Sequence, residues 1–416
     1  MINVAYVYTT PHFSGAAVSL VEVLRTLSAT VRPTVLTPRG SAAAFFERAG
    51  VGRVFGVSWL SQFDHTRFGR YRGARWLVAL RELLLLPLTW WEVRHFAAEA
   101  GEVDLVHLNE ITGIVAAVLL KLRLGVPLVV HVRAHMGEQD RGLRSRFLWR
   151  LFDRHVDAVI CIDETVRRTV PTRLRCQVQV IHNALNVDAA AKASPEPLPP
   201  ALAADSGRLK VGIVGSLLRV KGVYEFVEAA IALCRRRDDV VFAFVGGGVR
   251  RLSGLKGLLF SWLGLADDVE ADLRRAIDEA GLADRILMTG HRSDLANVYR
   301  HLDVLCFPSY YNAPGRPIFE AAYFGKPSIV AIEDPTADTL VHGVTGLAIA
   351  AKDSEALREA IERLADRPDE RASMGTAARE LALRNFDIDR NAAHVLALYR
   401  ELAAAPAAST RSVSPT

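Results

Sequence analysis

The stretch "LKVGIVGSLLRVKGVYEF", Leu209–Phe226, runs from an apolar strand-like segment through a glycine into a basic turn and on into a helical pattern. The chain has already used that order once, in "NVAYVYTTPHFSGAAVSL", Asn3–Leu20. A strand, turn and helix pattern that restarts in mid-chain predicts an α/β protein of two doubly wound units, each with a parallel sheet and crossover helices. The length of 416 residues, half of them apolar and 23% charged, suits two soluble domains of similar size.

Working outward, the first half shows strand-like runs at Asn3–Thr9, Pro33–Pro38, Leu105–Asn109, Pro127–Arg133, Ala158–Asp163 and Val178–Ile181, with helical segments between them. The second half continues with "VVFAFVGGG", "RILMTG", "DVLCFPS" and "KPSIVAI" as strands. Helices are expected at Asp268–Gly281 and Pro317–Phe324, with three more toward Leu402. Between the halves, "AAAKASPEPLPPALAADSG" lacks periodicity and reads as a linker. The division is therefore 1–188, a linker at 189–207, 208–386, a last helix at 387–403 that packs back on the first domain, and a disordered tail at 404–416. Two such sheets place a cleft between them, and ligands of doubly wound sheets bind at the carboxyl ends of the strands.

Composition narrows the function classes. The net charge of +5 comes almost wholly from arginine, with no basic run interleaved with stacking aromatics, so nucleic acid is not the expected partner. Cys161, Cys176, Cys234 and Cys306 show neither metal-ligand nor disulfide spacing, which favours a reducing, cytoplasmic setting. The N-terminus carries no secretory leader pattern, and "LLLLPLTWW", Leu83–Trp91, is too short to span a bilayer.

Four loops at strand ends carry the chemistry. Gly15 precedes a helix, where a missing side chain either lets a ligand approach the backbone or simply permits a turn. Arg219 and Lys221 sit just ahead of a helix amino end, a good place for an anion and equally for solvated charge. In "YYNAPGRPIFEAAYFGKPSIV", Tyr310–Val330, Pro314, Gly315 and Pro317 stiffen the lead into a short helix with Arg316 beside its first turn. Glu320 on that helix could accept hydrogen bonds from a ribose diol or serve the helix dipole alone. In "PLVVHVRAH", Pro127–His135, a strand ends in His131, Arg133 and His135, where His131 fits either a sugar hydroxyl or a satisfied core.

At these residues the chain resembles the retaining GT-B glycosyltransferases of family 4. The resemblance spans the glycine loop after the first strand, the histidine at a strand end, "VIHNALN", "GSLLRVKG", "VGGG", "LDVLCFPSYYNAPGRPIFEAAYFGKPSIV" and "DTLVHGVTGLAI". It implies two Rossmann-like domains, the first on the acceptor side and the second binding the nucleotide sugar. It implies His131, Lys221 and Glu320 as catalytic residues: Lys221 on the donor diphosphate, Glu320 on the ribose and His131 near the sugar 6-hydroxyl. Gly15 would admit the diphosphate, the amides of Gly315 to Ile318 would meet the distal phosphate and sugar, and the base would lie against Thr289, Gly290 and His291. Pro314, Arg316, Pro317 and Arg219 complete the donor set.

The implied reaction is metal-independent hexosyl transfer from a UDP- or GDP-linked sugar to a glycan or lipid-linked acceptor, in cell-envelope or exopolysaccharide synthesis, with no cofactor. Two positions depart from the family pattern. Ser216 stands where an arginine is usual, and Asn312 where a glutamate is usual, eight residues before Glu320. These bear on the donor sugar, and leave a nucleotide-sugar epimerase or hydrolase, or a non-catalytic binder, as alternatives. Basic, Leu/Trp-rich segments at Arg67–Phe96, Arg141–His155 and Val249–Asp268 either cover the sheets or seat on an anionic membrane.

Overall fold

The computed structural model describes residues 1–63, 66, 76–136, 143–183, 185, 196–204, 207–247 and 268–404, with the side chains of 143–145 left aside. It divides into two compact units, one of Met1–Leu185 with Phe386–Thr416 and one of Asn186–Asn385. The expected linker residues 189–195, the tail beyond 404, the opening residues 67–75 and 141–142 of two of the basic segments, and residues 249–267 of the third lie outside the described residues.

The first unit holds a seven-stranded sheet of β1 (Ile2–Val7), β2 (Val31–Pro38), β3 (Arg53–Val57), β4 (Leu105–Leu108), β5 (Leu128–Val132), β6 (Ala158–Cys161) and β7 (Gln177–Val180). Their order is β3-β2-β1-β4-β5-β6-β7 and every pairing is parallel. Helices on both faces bury the central strands, so β4 and β5 are apolar almost throughout, as a doubly covered parallel sheet requires. One face packs on the helices Leu86–Glu99 and Ile114–Leu124 through Phe96, Ala117 and Leu120. The other packs on the Gly15–Thr26 helix and on the C-terminal helix Ile388–Ala404, whose Ala392, Val395, Leu398 and Tyr399 enter this core.

The second unit repeats the plan with β8 (Leu209–Val214), β9 (Val240–Val245), β10 (Ile286–Gly290), β11 (Val304–Phe307), β12 (Ser328–Ala331) and β13 (Gly346–Ile349), in the order β10-β9-β8-β11-β12-β13. Its central strands are wholly buried, with Phe226, Phe242 and Phe244 stacked edge to face beneath them. Close packing shows at Gly212, where an added Cβ would meet Leu302 at 2.5 Å.

Two strands escape the sequence reading, β3 and β13, and both are sheet edges. An edge strand needs no continuous apolar run: β3 is only partly buried, and β13 opens on a glycine. The linker reading also needs correction over 196–204. Buried Arg292 donates to the carbonyls of Glu196 (2.7 Å) and Pro197 (3.0 Å), Glu196 N donates to Asp294 Oδ2 (2.8 Å), and Leu202 in the short helix Pro200–Ala203 is fully buried. That segment is fastened to the second unit. Its prolines and alanines hide the attachment from any periodicity argument.

Candidate functional site

In the second unit the carboxyl ends of β8 and β11 are zipped together. Gly222 takes a left-handed φ of +74° and its α-carbon passes so close to Pro308 that a Cβ would lie 2.1 Å from the carbonyl oxygen. Tyr310 N donates to Val220 O at 3.0 Å, and Ser309 Oγ to the same oxygen at 3.3 Å. Together these contacts hold the Arg219–Lys221 turn against the loop that leads into the helix Arg316–Tyr323.

Lys221 is thereby aimed. Its ammonium lies 5.3 Å from the Phe307 ring centroid and 4.9 Å from that of Tyr311, two cation–π contacts. Burial lowers its pKa, and among the described residues it has no carboxylate partner. A half-buried cation on an aromatic platform is a ready site for an anion. Gly315, the N-cap of the Arg316–Tyr323 helix, abuts the same Phe307 ring: a Cβ there would fall 2.2 Å from its Cζ. So Lys221 and that helix amino end share one ring. Of the four residues expected to offer amides, Pro317 carries no N–H and Ile318 N donates to Gly315 O at 3.0 Å, so these two do not supply one.

Glu320, one turn along, is held from two sides. Arg316 Nε donates to Oε1 at 2.6 Å and Tyr299 OH to Oε2 at 2.7 Å. Burial and then the adjacent carboxylate push the Tyr299 hydroxyl far above its ordinary pKa, which keeps it a donor. Arg316, expected beside a phosphate, gives its Nε–H to Glu320. Asn312 also has a protein partner. It adopts a left-handed φ of 50°, and its Oδ1 accepts from Glu333 N at 2.7 Å, so it ties the loop to the end of β12. Arg219 lies over the Tyr224 ring at 4.5 Å, and Ser216 is exposed. Thr289 Oγ1 donates to Phe244 O at 3.2 Å, Gly290 O accepts from Gly246 N at 2.9 Å, and His291 stands exposed beside Gly247.

The first unit gathers its residues at strand ends too. Gly15 opens its helix at an ordinary φ, and nothing lies within 4 Å of where a Cβ would be. Neither conformation nor packing asks for a glycine there. His131, at the end of β5, is 7% exposed. Arg133 Nη2 donates to its Nδ1 at 3.3 Å, and since a guanidinium only donates, the ring proton sits on Nε2, which is buried and has no partner among the described residues. Arg133 in turn is held by Asn109 (Nε to O and Oδ1, 3.1 Å) and by Asn183, while Asn109 Nδ2 reaches Ala16 O at 3.3 Å, next to Gly15. His107 on β4 faces His131 at 5.5 Å between centroids and shares a hydrogen bond of 2.6 Å with Tyr399, which meets Tyr6 at 3.0 Å. Burial, then Arg133, lowers the His107 pKa to about 3, and burial with Arg133 and His107 depresses His131 as well. Both rings are neutral. His107, Asn109, Asn183 and Tyr399 were not singled out from sequence; a polar residue ending each of several apolar strands was the available signal.

Among the described residues no cluster of three or more His, Cys, Asp or Glu could hold a metal ion, and no helix is long and apolar enough to cross a membrane.

Two doubly wound parallel sheets, each with its chemistry at the strand ends, are the domains of the GT-B architecture. Residues 13–189 match the family model "Glycosyltransferase Family 4" and residues 196–381 match "Glycosyl transferases group 1"; the chain belongs to these glycosyltransferases. Among relatives, it is 32% identical to the lipopolysaccharide core biosynthesis mannosyltransferase LpsB of Rhizobium meliloti (strain 1021), over 49% of this chain and 54% of that protein. It is 30% identical to the lipopolysaccharide core biosynthesis mannosyltransferase LpcC of Rhizobium leguminosarum bv. viciae, over 60% and 66%. The match to LpsB thus spans about half that protein's length. Anabaena Alr3699/HepE, crystallised in complex with UDP, superposes with a TM-score of 0.71 at 19% identity, covering 97% of this chain and all of that one. Sucrose-phosphate synthase from Thermosynechococcus elongatus gives 0.70 at 20%, over 98% and 100%; both show the fold.

Proposed function

We propose that this chain transfers a hexosyl group from a nucleoside diphosphate sugar, UDP- or GDP-linked, to a glycan or lipid-linked acceptor of the cell envelope, with retention at the anomeric carbon. The observation that carries the reading is Lys221, a half-buried cation with no carboxylate partner among the described residues, on the ring that also seats the amino end of the Arg316–Tyr323 helix. In this reading Lys221 and the Gly315 and Arg316 amides take up charge on the departing diphosphate, and Glu320, braced by Arg316 and Tyr299, accepts from the ribose diol. His131 offers its Nε2 proton to the donor sugar. The bond from C1 to the phosphate oxygen breaks, the acceptor oxygen bonds to C1 on the same face, and the leaving phosphate oxygen takes the acceptor's proton. No metal or cofactor enters this scheme. The UDP complex of the structural neighbour and the lipopolysaccharide mannosyltransferases among the relatives support the donor and acceptor classes. Four free cysteines suit a reducing cytoplasm as the setting.

The test is thermal stabilisation by UDP, GDP, ADP and their sugar conjugates, with and without chelator, on the wild type, Lys221→Ala and Glu320→Ala. A donor at about one hundred times its Kd stabilises by roughly 2.7 kcal/mol. One selective nucleotide, undiminished by chelator and lost in both variants, is the expected result. Equal stabilisation in Lys221→Ala would overturn the assignment, and turnover of donor alone would replace transfer with hydrolysis or epimerisation.

A further inference from the structure

The helix Trp76–Leu84 is built inside out. Its buried residues are Ala79 and Glu82, whereas Trp76, Leu80, Leu83 and Leu84 are each more than half exposed. The next helix, Leu86–Glu99, repeats the inversion in part: Thr89 and Glu92 are buried beside Val93 and Phe96, while Trp90 and Trp91 are about half exposed. A surface helix ordinarily does the reverse.

The polar residues turned inward explain why. Glu82 Oε2 accepts from Trp59 Nε1 at 3.2 Å and from Gln62 N at 3.0 Å; Glu92 Oε1 accepts from Ser58 N at 2.9 Å; Thr89 Oγ1 accepts from Ser61 N at 2.9 Å. Both helices are pinned by the loop after β3. Rolling either one to bury its leucines would strand carboxylates and loop amides without partners, a worse outcome than exposed hydrocarbon. The outward apolar face is therefore a fixed feature of the fold, and such a face marks an interaction surface.

Charge selects the occupant. Between Trp76 and Glu99 the acids are Glu82 and Glu92, both buried, and Glu99 at the far end, which is exposed but paired with Arg53 and His95; the cations on the outward face are Arg94, over the Trp90 ring at 4.7 Å, and Arg81, which also pairs with Glu82. The sequence directly ahead, 67–75, adds Arg67, Arg70, Arg72 and Arg75 and no acid. Leucine and tryptophan flanked by arginine suit the headgroup region of an anionic bilayer, where the rings lie at the interface and the guanidiniums meet lipid phosphates. A second copy of the same face would bring like charges together. We propose that the Trp76–Glu99 helix pair seats the protein on an anionic membrane surface, lying in the interface without crossing it. This stands independently of the donor assignment, because nucleotide binding is measured on the other unit.

The experiment is co-sedimentation of the full chain with vesicles of phosphatidylcholine alone or with roughly one third phosphatidylglycerol, at low and high salt. It is run on the wild type, Trp90→Ser/Trp91→Ser and Arg94→Glu, with melting curves and nucleotide binding as controls for fold. Expected are binding to the anionic vesicles only, its loss in high salt, and a drop of about tenfold in the tryptophan variant and about threefold in Arg94→Glu, with nucleotide binding unchanged. No binding at low salt, equal binding by the tryptophan variant, or a concentration-dependent dimer that this variant abolishes would each overturn the proposal.

Discussion

Gly15 separates folding from binding at the scale of one residue. Nothing lies within 4 Å of its missing Cβ and its φ is ordinary, so Gly15→Ala is expected to leave stability within about 0.5 kcal/mol of wild type. Under the proposed function the added methyl crowds the donor diphosphate, and turnover should fall by about tenfold or more, some 1.4 kcal/mol, with the melting temperature unmoved. A melting shift matching the activity loss would make Gly15 a folding residue after all. Asn312 is the opposite case. Its left-handed backbone and its bond to Glu333 N predict that Asn312→Ala costs about 1–2 kcal/mol of stability in a chemical melt, while Asn312→Gly recovers the backbone part. The sequence marked both residues as sites. It could not show that Asn312 has a fastening role, because a side-chain bond to Glu333, 21 residues on, leaves no local signature.

At the scale of the element, Gly315 is held by its neighbours. A Cβ 2.2 Å from the Phe307 ring must displace the ring that carries Lys221, so Gly315→Ala should destabilise the second unit by about 1–3 kcal/mol and weaken nucleotide binding together. Trimming the ring discriminates. Phe307→Leu in the Gly315→Ala background should restore much of the melting temperature but leave nucleotide binding weak, since Lys221 then lacks one aromatic face. Recovery of both would mean the ring only fills space. Elements with continuous apolar runs, such as β5 and β9, were legible in the sequence because both faces of the sheet are covered. The edge strands β3 and β13 were not, and the inverted helix Trp76–Leu84 was seen only as a basic, Leu/Trp-rich segment, since composition does not reveal which side its glutamate faces. The strand-end position of His131 could be read directly, whereas His107 against its ring, and Asn109 and Asn183 on the Arg133 that bonds it, come from other strands and loops that only the folded topology brings together.

For the whole molecule, buried neutral histidines make acid sensitivity unequal between the two units. His107 has its pKa lowered from 6.5 to about 3, chiefly by burial, and His131 is lowered too. Both rings belong to the first unit. Between the two values for His107 the unfolded chain binds a proton that the folded chain refuses, so stability is full above about pH 6.5 and falls as pH drops below it, by about 1.4 kcal/mol per pH unit for His107, and His131 adds to the fall in the same direction. Carboxylates titrate lower, which leaves the window from pH 6.5 to 5 to the imidazoles. Five of the six tryptophans lie within residues 1–185, so fluorescence melting reports this unit selectively while circular dichroism follows both. The fluorescence midpoint should fall steeply from pH 7 to pH 5, and less so in His107→Gln, whose amide can still meet Tyr399 but takes up no proton. A midpoint indifferent to pH across that range, or an equally steep fall in the variant, would show that these rings titrate normally and that the Tyr6–Tyr399–His107 chain opens to solvent before the unit unfolds.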